Sequence, residues 1–259
     1  MGSTVSWIAF TPVKGLRLQH RSEVQLTEAG VPGDRSFFLV DQLGAMVSAK
    51  RLGPLVTVVA AHDARAERLA LLLPDGEEVA GSIELGEPED VRFHSLTLRA
   101  RPVLGAFSAA LSEQCGVPLR LFASPPERPG VDRGRDGAVT LLSVASLERL
   151  RLEAQTSKPV DPRRFRMTFG VDGLAAHEED TWIYRAIRVG DAVLQVTGNV
   201  GRCALTTRNA ETGVVDLKTL HHLSSYRGET KATEPLPFGV HARVVQPGRV
   251  RVGDAVTRA

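Results

Sequence analysis

The hexapeptide Arg-Val-Gly-Asp-Ala-Val occurs twice in the chain, at residues 188–193 and 251–256. In both copies a valine stands on each side of a Gly-Asp step, which is typical of two strands joined by a tight turn. The copies lie too far apart for the period of a stacked repeat protein. The sequence therefore indicates a β architecture that contains two related strand–turn–strand units.

Outward from these two copies, short apolar or alternating runs recur along the whole chain, separated by Gly, Pro, Asp and Asn. Many short strands with such turns predict a barrel or a sandwich. The expected strands are residues 5–10, 37–40, 57–61, 69–73, 97–100, 119–122, 139–142, 193–196 and 240–245.

Three segments have the apolar spacing of helices instead, at residues 104–111, 144–150 and 217–226. Ser143 stands directly before the second segment and is the expected N-cap. Cys115 ends the first segment, just before a glycine, and is expected to be a small buried hydrophobic side chain. The predicted fold class is mainly β with a few helices.

Residues 124–137 contain three prolines and three glycines and are the strongest candidate for a break between domains. A stretch of this length and composition is typical of a mobile connection or of a functional lid. We expect it to separate an N-terminal half, residues 1–123, from a C-terminal half, residues 138–259.

The composition excludes several classes of protein. The chain has 259 residues, only two cysteines and a formal net charge of +2. Two cysteines cannot build a disulfide scaffold, a Cys₄ zinc site or an iron–sulfur cluster with four thiolate ligands. A near-neutral charge does not suggest a nucleic-acid binder, and no apolar run is long enough to span a membrane. We expect a cytoplasmic protein without a signal peptide.

Two cations stand at predicted strand ends in the first half. Lys14 and Gly15 follow Pro12 after the first strand, and Arg35 follows a Gly-Asp turn before the next one. Two such cations can clamp an anionic ligand, the arginine through two parallel hydrogen bonds and the lysine as a point charge. The alternative is two exposed loop cations, with Asp34 and Arg35 forming a local ion pair.

Arg166 opens an apolar strand pattern, two residues before Thr168. Burying an unpaired guanidinium is costly, so an arginine inside a strand needs a partner. An acidic side chain of residues 178–180 is one available partner.

Residues 199–207 read Asn-Val-Gly-Arg-Cys-Ala-Leu-Thr-Thr, and they combine a glycine turn, Arg202 and Cys203 ahead of an expected Thr-rich strand. An adjacent guanidinium favours the thiolate, which is the reactive form of cysteine. Cys203 can therefore be a nucleophile, a persulfide carrier or a soft metal ligand. The alternative is an inert cysteine near a turn.

Taken in order, these pieces resemble MOSC-domain proteins with an N-terminal β-barrel domain, in a layout similar to the mitochondrial amidoxime-reducing component and its bacterial relatives. The resemblance covers residues 5–257 and is strongest from 141 to 256. The motifs that carry it are Pro12-Val13-Lys14, Gly33-Asp34-Arg35, Phe165-Arg166, Arg202-Cys203, Thr206-Thr207 and Phe238-Gly239.

The resemblance implies a MOSC β-barrel domain at residues 138–259, a β-barrel-like domain at 1–123, and a molybdenum-bound molybdopterin cofactor between them. It implies that Cys203 is the catalytic thiolate ligand of the molybdenum. The implied reaction is reduction of N-hydroxylated or other N–O compounds by oxygen-atom transfer. The electrons are expected from an external ferredoxin- or flavin-type reductase, with no nucleic-acid or membrane partner. The residues implied to bind the cofactor are Lys14, Gly15, Arg35, Arg166, Thr168, Gly201 and Arg202.

Three of these positions depart from the family pattern. Gly15 and Gly201 stand where the family has serines, and Thr168 stands where it has an asparagine. The two glycines can instead let backbone N–H groups approach a phosphate directly.

Two other functions stay open from the sequence. One is a sulfur carrier or transferase with a persulfide on Cys203, because the same domain also closes molybdenum-cofactor sulfurases. This chain lacks a pyridoxal-phosphate domain, so the sulfur would come from another protein. The other is binding or storage of the cofactor without turnover.

Overall fold

The computed structural model describes residues 2–125 and 133–259, and within them the chain is mainly β with three α-helices, which confirms the predicted fold class. The helices are α1 (Phe107–Cys115), α2 (Val144–Glu153) and α3 (Thr219–Arg227). The strands are β1 (Ser3–Phe10), β2 (Gln19–Arg21), β3 (Glu23–Leu26), β4 (Phe37–Val40), β5 (Met46–Val47), β6 (Val59–Asp63), β7 (Arg68–Leu72), β8 (Glu78–Ser82), β9 (Glu89–Phe93), β10 (Leu96–Pro102), β11 (Arg120–Ala123), β12 (Val139–Ser143), β13 (Phe169–Asp172), β14 (Ala186–Val189), β15 (Ala192–Gly201), β16 (Pro237–Gln246), β17 (Gly248–Arg251) and β18 (Ala255–Arg258).

Seven strands close into a barrel. Their order is β13-β12-β16-β15-β14-β18-β1, and the antiparallel pairing of β1 with β13 completes the ring. The alternating strand pattern directs apolar side chains inward. Ile8, Leu141, Phe169, Leu194 and Val240 lie fully buried in this interior.

The first strand of the chain thus completes a barrel built from the C-terminal half. β2 extends the same sheet beside β1, and β3 pairs with β17. Along the seam between β1 and β13, Gly170 lies directly against the indole of Trp7, and a Cβ at Gly170 would lie 2.0 Å from the ring. The division at residues 124–137 stays a prediction, and residues 126–132 of that stretch lie outside the described residues.

The rest of the N-terminal half forms a second β unit. A five-stranded sheet has the order β5-β4-β11-β10-β9, and β6, β7 and β8 form a three-stranded sheet. Leu39, Leu55, Leu71, Leu111 and Leu121 are fully buried in the apolar core of this unit. Cys115 packs half-buried against that core at the end of α1, and burial raises the pKa of its thiol to about 11.

Each of the nine predicted strands overlaps a strand of the structure. The expected strand at 57–61 begins two residues late, at Val59, because a 3₁₀ helix at Gly53–Thr57 with a proline in its first turn precedes it. Ser143 stands at the N-cap of α2 with extended backbone, but its hydroxyl does not cap the helix. It donates to the Ala175 carbonyl at 3.1 Å instead, so the predicted capping bond is absent.

The two hexapeptide copies have different structural roles. In the first copy, Gly190 and Asp191 form the tight turn of the β14–β15 hairpin. In the second, Gly253 and Asp254 lie between β17 and β18, so both copies are strand–turn–strand units as predicted, although β17 and β18 lie in different sheets. The copies do meet: the Gly190 N–H donates to the Ala255 carbonyl at 3.2 Å.

Candidate functional site

A cavity of about 510 Å³ is lined by residues from both halves of the chain. Among the residues that the structure describes, its wall carries seven cationic side chains and a single carboxylate, that of Glu234. Its volume lies in the range of small-molecule sites. A concave surface with this excess of positive charge attracts anions. The seven cations are Lys14, Arg35, Lys50, Arg133, Arg164, Arg166 and Arg202.

Backbone hydrogen bonds bring the two N-terminal cations to the same wall. The Arg35 N–H donates to the Thr11 carbonyl at 2.7 Å, and the Lys14 N–H donates to the Phe37 carbonyl at 2.8 Å. Backbone hydrogen bonds therefore join the segment after β1 to the segment that leads into β4. Lys14 is only 7% exposed, and its Nζ lies 5.6 Å from the Phe93 ring centroid, so the alternative of an exposed loop lysine does not hold.

Arg35 and Arg166 link the two halves across the cavity. An Arg35 Nη2 N–H donates to the Arg166 carbonyl at 2.9 Å, and an Arg166 Nη2 N–H donates to the Leu16 carbonyl at 2.8 Å. The predicted local ion pair between Arg35 and Asp34 is present as well. Both arginines have left-handed backbone, with φ of 50° and 55°. Such a conformation costs a non-glycine residue roughly 1–2 kcal/mol and is typical of functional sites.

The expected setting of Arg166 is wrong in two respects. Arg166 follows a 3₁₀ helix at Pro162–Phe165 and precedes β13, so it lies outside the strand. The acidic stretch at 178–180 also has other partners. Asp180 pairs with Arg227 at 2.5 Å, and Glu179 is fully buried and accepts the Ser143 N–H at 3.2 Å.

Within residues 2–125 and 133–259, the Arg202 guanidinium is hydrogen-bonded only to uncharged acceptors. Its guanidinium donates to the Phe165 carbonyl at 2.9 Å, to the Val200 carbonyl at 3.1 Å and to the Met167 sulfur at 3.2 Å. Burial, and secondarily the charge of Arg133, lowers the pKa of Arg202 to about 9. This end of the cavity therefore carries positive charge that an anionic ligand would compensate.

Cys203 follows Arg202 at the wall of the cavity as an exposed free thiol. The residues after it form a 3₁₀ helix at Ala204–Thr207, so the expected Thr-rich strand is wrong. The Thr206 hydroxyl donates to the Cys203 carbonyl at 3.0 Å, which holds the cysteine at the start of this turn.

The three residues that depart from the family pattern all line the cavity. Gly15 has a φ of 95°, which a serine could adopt only with strain. Thr168 is buried and exchanges hydrogen bonds with Thr140: its N–H donates at 2.8 Å and its hydroxyl accepts at 3.2 Å. The Gly201 N–H donates to Glu234 Oε2 at 2.8 Å. That bond occupies the amide expected to meet a phosphate, so a direct contact between Gly201 and a phosphate stays a prediction.

The sequence did not single out three of the seven cations, namely Lys50, Arg133 and Arg164. Arg164 is 9% exposed and pairs with Asp216 at 2.6 Å, while its Nε has no hydrogen-bond partner within residues 2–125 and 133–259. The available signal was its position inside the Arg-Arg-Phe-Arg run at 163–166. Arg133 lies within the stretch interpreted as a linker, which hid its role.

Across the described part of the chain, no group of three or more His, Cys, Asp and Glu side chains is placed to hold a metal ion. Nor does any helix there have the length and apolar character needed to cross a membrane.

A closed β-barrel joined to a second β unit over a shared cationic cavity defines the class of protein. The chain matches the MOSC domain model over residues 128–257 and the MOSC N-terminal beta barrel domain model over residues 2–118. It belongs to the MOSC-domain family.

Several curated proteins are similar to this chain along nearly its whole length. Mitochondrial amidoxime-reducing component 1 of Xenopus laevis is 27% identical, over 98% of this chain and 81% of its own. The human protein of that name is 28% identical, over 98% and 82%. Molybdenum cofactor sulfurase of Drosophila erecta is 27% identical over 97% of this chain, which spans only 31% of that longer protein. The YUAD protein from Bacillus subtilis aligns over 99% of this chain with 11% identity and a TM-score of 0.48.

Proposed function

We propose that this chain binds a pterin-bound molybdenum cofactor in the cationic cavity and reduces N-hydroxylated or other N–O compounds with it. One observation carries the proposal: among the described residues, seven cations, an exposed thiol and a single carboxylate line the same cavity. The similarity to proteins named amidoxime-reducing components supports the substrate class.

The side chains of the cavity fit such a cofactor. Lys14, Arg35 and Arg166 would hold its phosphate and pterin, because they line the same cavity and are donors suited to oxyanions. Cys203 would supply a thiolate, which is a soft ligand suited to a metal of this kind. Since no cluster of three metal-binding side chains is present in the described residues, the metal would bring most of its ligands with it.

When bound, the cofactor supplies two-electron oxygen-atom transfer chemistry. The chain itself contributes charge and orientation. Half-buried Arg202 directly precedes Cys203 and places a positive charge beside it. Thr206 and the 3₁₀ helix after Cys203 hold the sulfur at the cavity wall. Electrons would come from an external ferredoxin- or flavin-type reductase, and a cytoplasmic location stays a prediction.

Metal analysis of protein purified from a host that makes the cofactor tests the proposal. We expect about one molybdenum per chain, lost in Cys203→Ser and retained in Cys115→Ser, because Cys115 packs against the N-terminal core and is not among the described residues that line the cavity. Protein without molybdenum but with a persulfide on Cys203 would contradict the proposal and support a sulfur carrier.

Two further measurements separate binding from turnover. Arg35→Ala and Arg166→Ala should lower molybdenum occupancy, whereas Arg120→Ala should not, because Arg120 pairs with Glu89 on an exposed surface. Loaded protein should then reduce an amidoxime with an artificial electron donor. Full occupancy without reduction would indicate storage of the cofactor.

A further inference from the structure

Arg133 reaches the cavity from the segment just before the 3₁₀ helix Gly134–Gly137. Its Nε donates to Glu234 Oε1 at 2.9 Å, and its Nη2 donates to Glu234 Oε2 at 2.5 Å. This is a bidentate pair, which fixes the plane of the guanidinium as well as its position. Nη1 makes no hydrogen bond with any residue in the described ranges, so its two N–H groups stay available for a ligand.

Glu234 is itself held from two other segments. Its Oε2 accepts the Gly201 N–H at 2.8 Å, and its Oε1 lies 3.8 Å from His241 Nε2. The packing around Gly201 is tight: a Cβ there would lie 2.9 Å from the Glu234 Cβ and 2.8 Å from the Pro235 carbonyl oxygen. Glu234 is therefore a fixed support for Arg133 rather than a freely moving side chain.

The charges at this end of the cavity do not balance. Arg133 and Arg202 both line the cavity, and Glu234 is the single carboxylate among its described lining residues. Two guanidinium groups thus accompany one carboxylate in the same cavity as Cys203. An incoming oxyanion would restore neutrality and accept the available N–H groups of Arg133.

We propose that Arg133 is a phosphate-binding residue of the cavity and that Glu234 positions it, with the Gly201 amide holding Glu234 in turn. This assignment deepens the proposed function and rests on it for the source of the phosphate, which is the bound cofactor. A free phosphate ion has the same chemistry, and the experiment distinguishes the two sources.

The primary test measures the Kd of inorganic phosphate by calorimetry at low ionic strength, on full-length chain from a host that cannot make the cofactor. Arg133→Gln should weaken binding about tenfold, the cost of one lost charge-assisted contact. Glu234→Gln should weaken it similarly, because Arg133 loses its support, and the double variant should bind no worse than Arg133→Gln alone. Arg135→Gln is the matched control, since the Arg135 side chain is 71% exposed and pairs with Glu28.

Several outcomes would overturn the assignment. Unchanged phosphate binding in Arg133→Gln would show that this arginine does not contact the anion. Tighter binding in Glu234→Gln would show that the carboxylate competes with the ligand instead of supporting Arg133. If one of these variants fails to fold, Arg133→Lys replaces it in the test. It keeps the charge but not the bidentate pair, so it should retain part of the phosphate binding.

Repeating the titration on cofactor-loaded protein identifies the source. Loss of phosphate binding identifies the phosphate of the cofactor as the occupant, and retained Arg133-dependent binding identifies a free phosphate. If phosphate binding depends on Arg133 but the chain never acquires molybdenum, the proposed function is wrong and this inference stands. If the chain acquires molybdenum but phosphate binding does not depend on Arg133, this inference is wrong and the proposed function stands.

Discussion

The substitution Gly170→Ala tests whether the seam between β1 and β13 limits the stability of the barrel. A Cβ at Gly170 would lie 2.0–2.2 Å from three atoms of the Trp7 indole. An ordinary carbon–carbon contact is about 3.5–4.0 Å, so the ring would have to retreat by about 1.5 Å. Gly170 is buried, and its strand pairs with both β1 and β12, so the backbone cannot yield instead.

Overpacking of this kind typically costs about 1–3 kcal/mol, and we expect the upper end because the obstacle is a rigid ring. For a chain of this size the midpoint of thermal unfolding should fall by about 5–10 °C. Guanidinium unfolding followed by far-UV circular dichroism measures the change in the free energy of unfolding. Gly81→Ala is the matched control: it is also a strand glycine, but its Cβ would meet only Phe107 Cζ at 3.6 Å.

A double-mutant cycle with Trp7→Val isolates the contact. Removing the indole should make Gly170→Ala nearly neutral, which gives a coupling energy of about 1–3 kcal/mol. A Gly170→Ala variant as stable as the parent, or equal costs with and without the indole, would refute this account of the seam.

Three further predictions concern titration and reactivity. The Arg164 hydrogen bond lowers the pKa of Asp216, and the stabilisation that it gives disappears as the pH falls through the pKa of Asp216 in the folded protein. Arg164→Met should therefore reduce the loss of stability at acidic pH, measured by denaturant titration at several pH values. An unchanged loss of stability at acidic pH would contradict this prediction. Burial raises the pKa of Glu179 to about 7, so stability should decrease from about pH 4 to pH 7, and Glu179→Gln should remove that slope. An equally steep slope in the variant would show that another group titrates. Iodoacetamide at pH 8 should label exposed Cys203 quickly and Cys115 slowly, because the pKa of Cys115 is raised to about 11; a fast phase that survives Cys203→Ser would refute this.

Local elements of the fold follow from local sequence. A short, continuous apolar run marks β4, whose predicted limits at Phe37 and Val40 agree with the structure. The closure of the barrel does not follow in this way. It pairs Ile8 with Phe169, and neither strand carries a signal that names its distant partner.

The residues of the candidate site also fall into those that local sequence predicts and those that it does not. Arg202 and Cys203 are adjacent in sequence, so their shared place at the cavity wall is readable from the chain. The bidentate pair of Arg133 with Glu234 joins residues far apart, and it depends on the tight approach to Gly201. That approach is a property of the packed turn, which residue type alone does not reveal.

The closure of the barrel by β1 constrains the order in which the chain can fold. The ring stays open until residues after β17 are available, because β1 pairs with β18 as well as with β13. Until then β1 and β14 each lack β18 as a neighbour, and unpaired strand edges are templates for aggregation. Contacts between the two ends of a chain form slowly, since the loop they close is long. We therefore expect a fragment of residues 138–259 made alone to aggregate, and supplying residues 2–26 as a separate peptide to rescue it.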